Sequence, residues 1–217
     1  FKGFWGLFIL PPSIYVAALN SLIIALFSGI LGVSIALSIA NFLILSAFFS
    51  KYIEILSIFI LATSPIVMGT GIFLILRPFI NLEILTPILV ILINATMSLP
   101  FILRALLPAM NKVSSDIGKL SDSLNITGFN RFKIIVFPNI FPVVTFCMGL
   151  GCALSMGDLG VITLFSFGDI QTLPLAIFRL MMSYKMDYAF SGSVLLIILC
   201  FLLFYLFDNI GKLYATS

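Results

Sequence analysis

Acidic and hydroxyl side chains are the groups in this sequence best suited to act on a ligand. Asp158 lies beside Gly157 and close to Gly160 in the stretch MGDLG, at the end of a long apolar run. An acidic group there could attract a cation. Two other interpretations remain: a plain helix-end aspartate in a loop, or a carboxylate paired with Arg179 or Lys185.

A second polar group, Thr63, Ser64 and Thr70, surrounds Pro65 in the stretch ATSPIVMGTG. These hydroxyls could line a path through the molecule, or they could make polar contacts between packed helices. Pro65 and Pro100 lack a backbone donor and predict a kink in their helices, either a fixed bend or a moving hinge.

The composition excludes most enzymatic chemistry. Without histidine the chain cannot supply a Ser-His-Asp triad or imidazole metal ligands. Cys147, Cys152 and Cys200 lie in apolar runs, and we interpret them as packing residues. No glycine-rich run ends in Lys and Ser or Thr, so the sequence shows no phosphate-binding loop of the Walker A type. We therefore expect no enzyme, no metal or cofactor bound by this chain, and no nucleic-acid partner.

The elements that position these residues are membrane-spanning helices. The chain is 62% hydrophobic and 9% charged, with a mean hydropathy of +1.28. This is far more apolar than a soluble domain. The predicted fold class is an all-α, polytopic transmembrane helix bundle, with about five spans plus a short outer interfacial helix.

Charged residues mark the ends of the spans. Windows long enough to cross a bilayer lie at 17–46, 54–77, 83–104, 133–158 and 187–208. The window 169–179 is too short to cross and predicts a surface or half-buried helix. Residues 1–16 are predicted to be an outer-side segment, anchored at the membrane interface by Phe4, Trp5 and Phe8.

The distribution of Lys and Arg predicts the orientation, because these residues are enriched in cytoplasmic loops. With segment 109–137 in the cytoplasm, seven basic residues lie inside and four outside: Lys51, Arg104, Lys112, Lys119, Arg131, Lys133 and Lys212 against Lys2, Arg77, Arg179 and Lys185. With five spans the chain then begins outside and ends inside, so we expect a further span upstream.

Small residues recur at intervals of three and four inside the predicted spans, in SGILGVSIALS, SPIVMGTG and MGLGCALSMG. Because lipid gives helices no hydrophobic drive to associate, such residues predict close helix packing.

The polar segment 109–137 is the longest interruption of the apolar pattern. It predicts a short amphipathic helix capped at Ser114 or Ser115, then a tight turn at Asn125 and Gly128. A second helix then enters the membrane at Pro138. Such a segment is suited to dock a soluble partner. The alternative is a solvated connector in a membrane assembly protein that does not transport.

From the middle of this segment into the next apolar run, the stretch KLSDSLNITGFNRFKIIVFPNIFP (119–142) resembles the cytoplasmic EAA loop of binding-protein-dependent ABC importer permeases. In that likeness Lys119 takes the Glu position, Leu120 and Ser121 the two Ala positions, and Asn125 the Gly position. The rest of the pattern is matched by Phe132, Phe137, Pro138 and Pro142, and Gly128 belongs to the same ATPase-coupling loop.

The stretches LSMGDLGVITLF, QTLPLAIFRLMMSY and SGSVLLIILCFLLFYLFDNIGK resemble the second half of thiamine (thiamine pyrophosphate) ABC importer permeases. The resemblance implies that 17–217 is the second half of a type I (MetI-like) transmembrane domain, lacking its first span. It also implies an inner-membrane protein that moves cargo by alternating access.

The same resemblance implies several partners. They are a cytoplasmic ABC ATPase dimer carrying ATP and Mg, a periplasmic thiamine-binding protein, the other half of the permease and the lipid bilayer. Asp158 would then attract the cationic thiazolium. Phe165, Phe167, Tyr184 and Tyr188 could stack on the cargo or anchor the protein at the interface.

A different cargo, such as ferric iron or a sulfate-like anion, is the alternative within the same class of transporter. An anion path should show inward-facing Arg or Lys within the spans, and the charge windows show none.

Overall fold

The computed structural model describes residues 11–45, 50–76, 82–123, 128–164 and 171–216, and these ranges contain helices and no strand. The helices are α1 (Pro12–Leu45), α2 (Ser50–Ala62), α3 (Pro65–Leu76), α4 (Leu82–Ser123), α5 (Gly128–Arg131), α6 (Phe137–Met156), α7 (Gly160–Leu164), α8 (Leu173–Met182) and α9 (Met186–Thr216). A π-helical stretch, Phe132–Val136, joins α5 to α6. The all-α class predicted from the composition is confirmed.

Four stretches are long and apolar enough to cross a membrane: 12–44, 86–116, 132–163 and 186–214. The helices α2 and α3 meet at 93° and make a fifth span if they are counted as one broken helix. About five spans were predicted, which agrees. Of the predicted outer-side segment 1–16, residues 1–10 lie outside the described part of the chain, and α1 already begins at Pro12.

The two predicted proline kinks have different outcomes. At Pro65 the helix breaks completely, since α2 ends at Ala62 and α3 begins at Pro65. At Pro100 the α4 helix continues, as it does through Pro87 and Pro108. Helices in membrane bundles tolerate proline where neighbouring groups take over the freed backbone carbonyls.

The separate loop helix predicted to be capped at Ser114 or Ser115 is wrong. Helix α4 runs through both serines to Ser123 without interruption, and the Ser115 hydroxyl donates to the Lys112 carbonyl oxygen at 2.8 Å. Met110 explains the continuation, because it is fully buried in a cluster with Leu106 and Ile140. Tertiary packing thus extends the span into the polar segment.

The interior is held together by helices that approach closely at small residues. A Cβ on Gly29 of α1 would lie 2.7 Å from the Cys152 sulfur of α6, and one on Gly32 would lie 2.8 Å from the Ser98 hydroxyl of α4. Such distances leave no room for a side chain. The close packing predicted from the small residues is therefore confirmed, and α1, α4 and α6 form the centre of the bundle.

The short helix predicted within 169–179 is present as α8. Its first residues, Leu173–Ile177, are buried, whereas Phe178 and Met181 are exposed. Two hydrogen bonds fix its start to α1: the Leu173 N–H donates to the Ser21 hydroxyl at 2.7 Å, and the Asn20 amide donates to the Gln171 carbonyl at 3.1 Å. The helix is thus half-buried against the bundle.

Candidate functional site

A cavity of about 480 Å³ lies between α2, the start of α3, α4 and the end of α6. This volume falls within the range of small-molecule sites. Its walls are mostly apolar and include Ile60, Leu61, Met97, Phe101 and Leu154. Its polar groups come from Thr63, Asn94, Ser98, Ser155 and Asp158. Apolar walls with a few convergent polar groups are typical of a site for a small organic ligand.

Of the residues predicted to line a path, Thr63, Gly157 and Asp158 border this cavity, while Ser64, Thr70 and Gly160 are not among its lining residues. The Thr63 hydroxyl donates back to the Phe59 and Ile60 carbonyls, at 3.0 and 2.9 Å. It therefore satisfies backbone acceptors where α2 ends.

The other predicted residues lie just outside the lining. The Thr70 hydroxyl donates to the Ile66 carbonyl within α3. The Ser64 carbonyl oxygen accepts from the Met68 N–H at 3.1 Å, so Ser64 lies at the start of α3. Gly160 packs against α3, where an added Cβ would lie 2.8 Å from Ile66 Cγ1. The first two contacts are internal to α3, and the close approach of Gly160 to Ile66 is the one that joins α3 to α7 beside the cavity.

Asp158 follows the end of α6, in the connection to α7. Its Oδ1 accepts a hydrogen bond from the Gly160 N–H at 3.0 Å, and its Oδ2 is buried without a partner among the described residues. Neither Arg179 nor Lys185 forms an ion pair with it in the described part of the chain. The carboxylate is thus oriented by backbone and faces no described cation.

Asn94 and Ser155 are the functional candidates that sequence reasoning missed. The Asn94 amide donates to the Ser155 hydroxyl at 2.9 Å, linking α4 to α6 across 61 positions, and both side chains are buried. A polar residue in the middle of an apolar window, as in ILINATMS, is the signal that could have found Asn94. Asn94 carries an uncharged amide, whereas the residues singled out from the sequence were charged or hydroxyl side chains.

A polar seam continues behind the cavity. A small void of about 10 Å³ is bordered by Ser21, Asn94, Ser155, Asp158 and Thr172. The buried Thr172 hydroxyl, like Asp158 Oδ2, has no partner among the described residues. The polar groups of α4 and α6 are therefore continuous with the start of α8.

The aromatic residues predicted to stack or anchor are partly described. Tyr184 and Tyr188 are exposed, at 89% and 42%, and neither lines the larger cavity. Phe165 and Phe167 lie outside the described residues. Phe101 is the aromatic ring on the cavity wall.

The residues of the predicted coupling loop 109–137 divide between helices. Lys119, Leu120 and Ser121 lie in the last turns of α4, Gly128 opens α5, and Phe132 opens the π-helical stretch. Pro138 is at the start of α6 and Pro142 lies inside it. Asn125 is outside the described residues. Helices therefore occur on both sides of the predicted turn.

Aromatic rings connect this segment to two membrane helices. Ring centroids are 6.1 Å apart for Phe132 and Phe137, 5.9 Å for Phe137 and Phe141, and 4.5 Å for Phe141 and Tyr214 of α9. The Phe137 N–H also donates to the Phe132 carbonyl, so the helix passes from the π-helical stretch into α6 without a break. Residues 128–136 are thus continuous with α6.

Comparison with known proteins gives a consistent family. The sequence model for binding-protein-dependent transport system inner membrane components matches residues 28–214. The thiamine transport system permease protein ThiP of Brucella abortus (strain 2308) is 37% identical over 150 residues, which are 69% of this chain and 28% of the relative.

Two further ThiP proteins show the same likeness. That of Salmonella typhimurium is 31% identical over 215 residues, 95% of this chain and 39% of the relative. That of Escherichia coli is 32% identical over 160 residues, 74% of this chain and 30% of the relative. The chain thus matches well under half the length of these curated relatives.

Proposed function

Because the chain belongs to the family of binding-protein-dependent transport system inner membrane components, we propose that it carries thiamine or thiamine pyrophosphate across the membrane. The family makes it an ABC importer permease, a multi-pass inner-membrane transport component rather than an enzyme. The cargo follows from the relatives, which are thiamine transport permeases. It also agrees with the chemistry of the 480 Å³ cavity.

The cavity suits a cationic heteroaromatic molecule. The exposed ring of Phe101 can stack on a flat cation. Asn94 and Ser155 offer an amide oxygen and a hydroxyl for hydrogen bonds. Asp158 adds negative charge at one edge. Because its Oδ2 is buried, the carboxylate acts on the cargo through its field rather than through a direct bond from that oxygen.

Thr63, Ser64, Thr70, Gly157 and Gly160 belong to the same proposed path. Thr63 and Gly157 line the cavity. Ser64 and Thr70 make hydrogen bonds within α3, and Gly160 packs against Ile66 of α3 beside the cavity.

Helix α6 is the observation that carries the proposed mechanism. At one end it continues from the π-helical stretch of the coupling loop, and at the other it bears Ser155 of the cavity. Its 20 residues span about 30 Å. A push on the loop would therefore tilt one wall of the cavity, which is what alternating access requires.

The remaining parts of the proposed importer come from other chains. A cytoplasmic ABC ATPase dimer binds ATP and Mg and moves the loop residues Lys119, Leu120, Ser121, Asn125 and Gly128. A periplasmic thiamine-binding protein delivers the cargo, and the other permease half completes the path.

The test is ATP-dependent uptake of labelled thiamine into vesicles that hold the complete permease with its ATPase and binding protein. Phe137→Leu interrupts the ring contacts between the loop and α6. It should lower uptake per ATP hydrolysed. Phe146→Leu is the matched control, because Phe146 lies on the same helix and pairs with Phe204 at 5.5 Å, away from the loop.

Three outcomes separate the parts of the proposal. Equal effects of the two phenylalanine variants would refute coupling through the ring contacts. No thiamine uptake, with intact ATPase binding, would discard this cargo and keep the permease. No ATPase binding at all would overturn the assignment of a coupling loop.

A further inference from the structure

A second cavity, of about 260 Å³, lies between the end of α1, α2 and α4, nearer the loop end of the bundle. Its walls are mainly apolar, with Leu43, Ile58, Leu103 and Leu107 among them. Arg104 is the charged member of the described lining. An arginine that belongs to a membrane helix and borders an apolar cavity is by default a functional candidate.

Arg104 lies within the helix rather than at its end. The charge windows place it at the boundary of a span, but the stretch long and apolar enough to cross a membrane covers 86–116. The expectation that the spans contain no Arg is therefore wrong at Arg104. It follows Met97 by seven residues, so the two lie on one stripe of the helix. Met97 lines the larger cavity. Arg104 therefore lies on the stripe of α4 that leads from the larger cavity toward the loop.

The guanidinium is available to a ligand. Among the described residues Arg104 has neither a hydrogen bond nor an ion pair, and its side chain is exposed. A guanidinium presents five N–H donors in a planar fork that matches the oxygens of a phosphate group. A volume of about 260 Å³ is below the usual range for a whole drug-sized ligand and is ample for one or two phosphate groups.

We propose that this second cavity is a phosphate subsite, in which Arg104 binds the phosphate groups of a phosphorylated cargo on its way toward the loop side. The subsite rests on the proposed transport function. A phospholipid headgroup carries the same chemistry. The stripe shared with the cargo cavity favours the cargo as the source of the phosphate.

The test compares initial uptake rates of labelled thiamine and thiamine pyrophosphate, each well below saturation, in vesicles with the complete importer. Arg104→Gln should lower the ratio of pyrophosphate to thiamine uptake about tenfold, the effect of losing a charge-assisted hydrogen bond. Arg104→Lys should keep part of the ratio, because lysine retains the charge and loses the fork.

Lys51→Gln is the matched control. It removes one positive charge from α2, which also borders the cavity, and Lys51 is exposed and does not line either cavity. The ratio should stay within about twofold of the wild type, since an exposed charge of this kind contributes little.

An unchanged ratio in Arg104→Gln, or an equal loss of both cargoes, would overturn the subsite. So would a wild type that takes up thiamine and no thiamine pyrophosphate. Vesicles of phosphate-free galactolipids, with and without added phosphatidylglycerol, distinguish the lipid. A change of ratio seen only with phosphatidylglycerol would assign the cavity to a lipid phosphate. A wild type that takes up neither cargo would instead refute the proposed function.

Discussion

Gly211→Ala tests the contact between α6 and α9. Gly211 is buried, and a Cβ there would meet the Thr145 hydroxyl and lie 3.1 Å from both Pro142 Cα and the Pro142 carbonyl oxygen. Two of these atoms belong to backbone and cannot rotate away. The helices would have to separate, which disturbs the neighbouring ring contact between Phe141 and Tyr214.

The size of the effect follows from two opposing contributions. Overpacking against fixed atoms costs about 3 kcal/mol, the upper end of the usual range. Replacing glycine by alanine inside a helix returns about 1 kcal/mol. We therefore expect Gly211→Ala to lower the free energy of unfolding by about 2 kcal/mol, which changes the ratio of folded to unfolded protein about thirtyfold.

The assay is thermal unfolding of the purified complete permease in detergent, followed by circular dichroism. Gly71→Ala is the control, because Gly71 lies in helix α3 and an added Cβ would meet nothing within 4 Å. It should be neutral or stabilising by up to about 1 kcal/mol. Adding Thr145→Ala to Gly211→Ala should recover part of the loss, since it removes one of the three clashing atoms.

If Gly211→Ala proved as stable as Gly71→Ala, α6 and α9 would not cross at Gly211, and the packing described above would be wrong. Full recovery by Thr145→Ala would show that the Pro142 backbone is not a fixed obstacle.

Two further predictions test a residue pair of the cavity and the helix contact beside it. Ser155→Ala leaves the buried Asn94 amide without its partner and should lower the free energy of unfolding by about 1–3 kcal/mol. The double variant Asn94→Leu/Ser155→Ala should be nearly as stable as the wild type but should lose thiamine uptake. Retained uptake would show that the pair does not belong to the path. Gly160→Ala places a Cβ 2.8 Å from Ile66 Cγ1, a side-chain atom that can shift only by rotation of the Ile66 side chain, so it should cost about 1 kcal/mol. Ile66→Ala should relieve that cost in a double-mutant cycle, and an additive result would show that the two residues do not touch.

The sequence by itself determined the class of fold and the approximate spans. In lipid every backbone polar group must be satisfied within the chain, so apolar windows of sufficient length can only be helices. The same local logic predicted a disturbed helix at Pro65, where a kink was expected and the helix breaks, as well as the half-buried α8 and the close approach at Gly29 and Gly32. Composition and spacing are local properties, and these features depend on little else.

Only the tertiary structure decided which helix surfaces pack against each other. Local signals predicted a helix end before Ser114, but the burial of Met110 against Ile140 carries α4 onward. The cavity depends on Asn94 meeting Ser155 across 61 positions. These contacts join residues that are distant in the sequence, so local patterns in the sequence do not predict them.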